Sequence, residues 1–155
     1  MVTIRTFRAD DQPAFKALNL SWIERHFEVE VTDLAQLDDP VGTILDRGGA
    51  IFIAELDDEI VGTIGILPAH TPGIQELFKM TVAQAARRKG VGAALIGAVM
   101  KEARNRGANR IWLETNSALE AATRLYEAQG FRHATATEWI ESPYSRCNVQ
   151  MICDL

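Results

Sequence analysis

Apolar and polar positions alternate over "VTIRTFR" at residues 2–8, which predicts a first strand. In "ADDQPAFKALNLSWIERHF" the period changes. Phe15, Leu18 and Trp22 recur at helical spacing, Pro13 suits a first turn, and Asp10 or Asp11 can cap it. A weaker helical pattern over 32–47 carries Leu34, Leu37, Ile44 and Leu45, and Pro40 and Gly42 interrupt it. Two β-rich runs, "AIFIAEL" and "IVGTIGIL", flank the acidic turn "DDE" and predict a hairpin. "QELFKMTV" predicts a further strand. Val91, Leu95, Ile96 and Val99 then give a helix over 88–106, and Gly107 is suited to end it.

"NRIWLET" predicts the next strand. "SALE" at 117–120 has the form of a capping box, in which Ser117 and Glu120 open a helix that Gly130 closes. Two short strands, about 131–140 and 147–153, complete the chain. Strands and helices in this order predict an α/β fold with a mixed central sheet of about seven strands and four flanking helices. The 155 residues are expected to form a single domain, 1–155.

Composition narrows the function. Hydrophobic residues make up 47% of the chain and charged residues 24%, enough for a substantial core. The net charge of -5 argues against nucleic acid as a main partner. No apolar run approaches the ~20 residues of a membrane span, and the first residues lack a signal core, so a cytoplasmic location is expected. Cys147 and Cys153 lie six apart in a strand-like stretch. At ~3.4 Å per residue that is roughly 20 Å, too far for a disulfide. His26, His70 and His133 are scattered, and no metal site is expected.

Charge and glycine meet in "RRKGVG" at 87–92, after a strand and before a helix. Free amides at a helix start and the helix dipole favour an anion there. Gly90 and Gly92 allow close backbone approach, while Arg87, Arg88 and Lys89 add mobile cations. The loop fits neither the Walker pattern, since Lys89 precedes the glycines, nor the dinucleotide fingerprint, since position 95 is Leu95. Taken alone, it can equally be a basic helix cap.

"RRKGVG" matches Arg/Gln-x-x-Gly-x-Gly/Ala, and "LYEAQGF" at 125–131 matches Leu-Tyr-Glu-x-x-Gly-Phe. Together they resemble the two signatures of the GNAT superfamily of acyl-CoA-dependent N-acetyltransferases, and the element order resembles that fold throughout. The resemblance implies a strongly twisted sheet whose fourth and fifth strands are parallel and separate at one end. It implies acetyl-CoA as cosubstrate, held by Met80, Val82, Arg87, Arg88, Lys89, Gly90, Val91, Gly92, Asn116 and Tyr126. In the family the residue matching Tyr126 protonates the leaving thiolate. Glu76 is the leading base, with Glu55 and Glu114 as rivals. An ordinary carboxylate near ~4.3 is poorly matched to an amine, so Glu76 needs a water relay or a raised pKa.

The acceptor is expected to be a small-molecule or peptide amine beside Trp22, Phe27, Glu28, Tyr144 and Arg146. Arg146 suits either a substrate carboxylate or a turn-stabilising salt bridge. No membrane partner is expected, and a homodimer is compatible with the resemblance. A non-catalytic CoA-binding or regulatory domain and a nucleotide-phosphate binder are the alternative functions.

Overall fold

A computed structural model describes residues 1–155. Seven strands form one open mixed sheet: β1 (Val2–Thr6), β2 (Ala50–Leu56), β3 (Glu59–Pro68), β4 (Ile74–Val82), β5 (Arg110–Thr115), β6 (Arg132–His133) and β7 (Val149–Asp154). Their spatial order is β1-β2-β3-β4-β5-β7-β6. Only β4 and β5 pair in parallel; every other neighbouring pair is antiparallel.

The helices number five rather than four: α1 (Gln12–His26), α2 (Val31–Asp38), α3 (Pro40–Thr43), α4 (Val91–Asn105) and α5 (Glu120–Ala128). Pro40 splits the second helical pattern into α2 and α3, because a proline cannot donate the hydrogen bond that would continue α2. The sheet is covered on both faces. Phe15, Ile23, Leu37 and Ile44 pack with Ile51 and Ile53 of β2 on one side. Val91, Leu95, Ile96 and Val99 of α4 pack with Ile64, Ile66 and Ile111 on the other. No helix is long and apolar enough to cross a membrane.

The expected hairpin forms, with Leu56 opposite Glu59 across a two-residue turn. Asp57 and Asp58 both have positive φ, 52° and 65°, which suits the right-handed twist of the flanking strands. Both cysteines are unpaired.

Four local expectations are corrected. The helix expected over 88–106 begins only at Val91, because Arg88 and Gly90 have left-handed backbone, φ 63° and 80°. The box in "SALE" does not form, and α5 starts at Glu120. The Ser117 amide donates instead to Asn148 Oδ1 at 2.9 Å, and the Ala118 amide to Asn116 Oδ1 at 2.8 Å. The strand expected over 131–140 shrinks to Arg132–His133. On α1 the buried stripe is Phe15, Asn19 and Ile23, so a polar residue occupies a position that spacing alone gave to Leu18.

Candidate functional site

The site originates in a defect of the sheet. Strands β4 and β5 share three register pairs, Ile74 with Arg110, Gln75 with Ile111, and Glu76 with Trp112. Beyond Glu76 they part. At the same place β4 bulges: Thr63 pairs with Thr81 but Gly65 with Phe78, which leaves one extra residue on β4. Lys79 takes up that residue at φ 51°. A buried polar chain pins the bulge. Asn19 of α1 donates to Thr63 Oγ1 at 3.1 Å, and Thr63 donates to the Lys79 carbonyl at 2.9 Å.

The parting of the strands opens a cavity of about 710 Å³, within the usual range for a small-molecule site. Met80 and Val82 of β4, the loop at Arg87, Arg88, Gly90, Val91 and Gly92, and Asn116 and Tyr126 all line it. Lys89 does not; its side chain points to solvent. A Cβ at Gly90 would meet nothing within 4 Å, so Gly90 is there for its left-handed backbone rather than for space. Gly92 is different: a Cβ would stand 2.6 Å from Leu125 Cδ2, and its absence lets α4 and α5 close on the cavity. Val91 buries its side chain among the core residues. The first amides of α4 have no partner within the helix and are free to bind an anion.

Tyr126 is the one buried residue of α5, deeper than the border position its spacing suggested. Its ring packs against Phe131 at 5.7 Å between centroids. Burial alone raises its hydroxyl pKa, so it holds its proton at neutral pH. Asn116 uses its side chain within the protein, donating to the Arg146 carbonyl at 2.7 Å as well as accepting from Ala118.

Glu76 and Glu114 face the same cavity from adjacent strands. Burial, then the charge of Glu114, raises the Glu76 pKa to about 7, against the opposing pull of Lys79. This removes the mismatch that an ordinary carboxylate would have as a base. Glu114 is also raised by burial, and its Oε2 is buried without a hydrogen-bond partner. The third candidate, Glu55, is absent from the cavity and is held by Arg5 at 2.6 Å.

Trp22, His26, Phe27, Tyr144, Arg146 and Cys147 also line the cavity. Glu28 is exposed and outside the lining. Burial, then Glu114, pushes the Cys147 thiol up to about 11, so it is un-ionised at neutral pH. Arg146 makes a two-pronged bond to Asp33, 2.7 Å on each oxygen, and reaches Glu30 at 3.4 Å. Lys79 Nζ meets the same Asp33 at 2.7 Å and also donates to the Tyr144 hydroxyl at 3.3 Å. Burial favours the neutral form of Asp33, but Arg146 and Lys79 outweigh it and hold its carboxyl well below the usual range. Burial lowers the Lys79 pKa against the pull of Asp33. Sequence reasoning missed Asp33, Lys79 and Asn19. The accessible signal was a lone lysine inside the apolar run "QELFKMTV", which has to find a buried partner.

Comparison with known proteins gives a consistent picture. The profile of the Acetyltransferase (GNAT) family matches residues 11–131. Human N-acetyltransferase 8 is 31% identical over 109 residues, covering 67% of this chain and 48% of that protein. The chain therefore spans about half the length of this relative. A GNAT-family acetyltransferase from Staphylococcus aureus superposes with a TM-score of 0.90 at 20% identity, covering 99% of each chain. N-acetylglutamate synthase from Neisseria gonorrhoeae, solved with coenzyme A and N-acetyl-glutamate, gives a TM-score of 0.77 at 18% identity. It covers 100% of this chain and 35% of that one.

Proposed function

This chain belongs to the GNAT acetyltransferase family, and from that premise we propose that it transfers an acetyl group from acetyl-CoA to a primary amine by direct attack. The observation that carries the proposal is the gap between β4 and β5. It runs from the basic glycine loop to a buried tyrosine and a carboxyl titrating near neutrality.

The residues fit a long anionic thioester. The α4 amides and Arg87 and Arg88 would receive the pyrophosphate. The edge of β4 beyond Glu76, with no strand beside it, offers backbone groups at Met80 and Val82 to an extended arm. Acetyl-CoA supplies the activated carbonyl. Glu76 accepts the proton that the amine sheds. The Val82 amide is the donor proposed for the carbonyl oxygen. As nitrogen bonds to the carbonyl carbon and the carbon–sulfur bond breaks, Tyr126 delivers its proton to the sulfur.

Two results are expected. Arg87→Ala should weaken CoA binding by roughly one to two orders of magnitude, the span of a charge-assisted bond. Calorimetry on the folded variant reads this directly, and unchanged affinity would remove Arg87 from the site.

The second concerns pH. With an acceptor protonated throughout the range, kcat/KM should climb about tenfold per pH unit up to about 7, where Glu76 becomes ionised. Above that it should level off. Glu76→Gln should be slower throughout this range and should keep rising past 7, since its rate follows the neutral amine alone. The gap between the two proteins is therefore widest, and constant, on the acid side. A wild-type profile with no break near neutrality would rule out Glu76 as the base.

A further inference from the structure

The acceptor end of the cavity has two cations on its wall and no free cation. Lys79 and Arg146 both line it, and both direct their donors to Asp33, which lies behind the wall and does not line the cavity. Their remaining contacts are also internal. Arg146 reaches Glu30 and lies over the Tyr144 ring at 4.4 Å. Lys79 bonds the Tyr144 hydroxyl and sits 5.2 Å from the same ring. Side-chain exposure is 3% for Lys79, 14% for Arg146 and 0% for Asp33. The carboxyls are in the opposite state. Ser142 and Cys147 engage the Glu114 carboxyl, but its Oε2 is buried without a partner. The Glu76 carboxyl lines the cavity and makes no hydrogen bond or ion pair within the protein. Trp22 and Phe27, edge to face at 6.4 Å, complete the wall with apolar surface, and His26 stands at its exposed rim.

A substrate entering here meets carboxylate acceptors and two cations whose charge Asp33 already counters. An ammonium group gains hydrogen bonds to Glu76 and Glu114. A carboxylate beside that ammonium would find no cation free and would face two acidic groups, a juxtaposition that costs affinity. We infer that the acceptor is an amine on an apolar stem, alkyl or aralkyl, with no carboxylate next to the amine. Asp33 sets this preference by keeping Lys79 and Arg146 occupied. The inference rests on the acetyltransferase reading for its reaction, but it can be tested by binding alone.

The experiment compares three ligands with one stem: phenethylamine, phenylalaninamide and phenylalanine. Calorimetry measures their affinity for the protein–CoA complex, and thiol release from acetyl-CoA measures kcat/KM. The amine and the amide should bind more tightly than the amino acid, by on the order of 10–100-fold. Phenylalanine binding as well as phenethylamine overturns the inference. The expected binding order without turnover of any acceptor leaves the inference standing and overturns the proposed function.

The role of Asp33 is read from the ratio rather than from the overall rate. Asp33→Asn keeps the shape, removes the charge that counters both cations, and should bring amine and amino acid to within about threefold of each other. If that protein does not fold, Asp33→Asn combined with Lys79→Gln removes one buried charge of each sign and still removes the Asp33 charge from the Arg146 fork. A wild-type ratio in whichever variant folds would overturn the assignment of selectivity to Asp33.

Discussion

Tyr126→Phe should lower the turnover of acetyl-CoA by about 10²–10⁴, the span expected for loss of a positioned proton donor. The geometry isolates the hydroxyl as the cause. The ring is buried against Phe131, and phenylalanine keeps that packing. The hydroxyl makes no hydrogen bond within the protein, and burial is what raises its pKa. The variant should therefore fold with stability close to that of the parent. CoA affinity should also change little, because the proton is needed only as the carbon–sulfur bond breaks. Stopped-flow measurement of the chemical step, together with CoA calorimetry, separates the two effects. A chemical step within about threefold of the parent would remove Tyr126 from the mechanism.

Asp33→Ala should cost about 3–5 kcal/mol of folding stability, the usual penalty for leaving buried charge without its partner. Asp33 has no exposed side-chain surface and receives the Arg146 fork, Lys79 and the Glu30 amide. Removing it strands Lys79 in the core and leaves the segment that carries Tyr144 and Arg146 tied to α2 only through Gln36 and Glu30. Urea denaturation of both proteins at neutral pH measures the difference. The pH dependence has a defined sign. The folded carboxyl titrates below its ordinary value of 3.8, so its contribution is complete above that value and is lost as the pH falls below it. The gap between variant and parent should therefore narrow in acid. A loss below about 1 kcal/mol at neutral pH would mean that the network is no stronger than a surface ion pair.

These two residues differ in how far the sequence announced them. Tyr126 lies in a short motif whose spacing survives translation into a helix, and the anion loop is likewise a local pattern. The strand and helix order was also readable, because hydrophobic period is a property of neighbouring residues. Asp33 is separated by 46 residues from Lys79 and by 113 from Arg146. Nothing in its surroundings in the chain, "VTDLAQ", distinguishes it from a solvated helix-start acid. Only the packing of α2 over the β4 bulge brings the three together. The raised pKa of Glu76 was illegible for the same reason, since burial and the neighbouring Glu114 belong to the folded sheet. The unformed box at Ser117 shows the converse: a local motif lost to a long-range competitor, Asn148, which took its amide.

The short seam between β4 and β5 has a further consequence. Three register pairs are the whole of the strand pairing between the β1–β4 part of the sheet and the β5–β7 part. Alternate amides of β4 beyond Glu76 face the gap with no strand to receive them, while those facing β3 are paired. In deuterated solvent the free protein should therefore show a comb along one strand, with fast and slow exchange interleaved residue by residue. An extended ligand lying in the gap would act as a temporary strand, and the fast teeth of that comb should slow selectively when CoA is added. The imprint of the ligand's path would then be written in backbone exchange, one peptide group at a time.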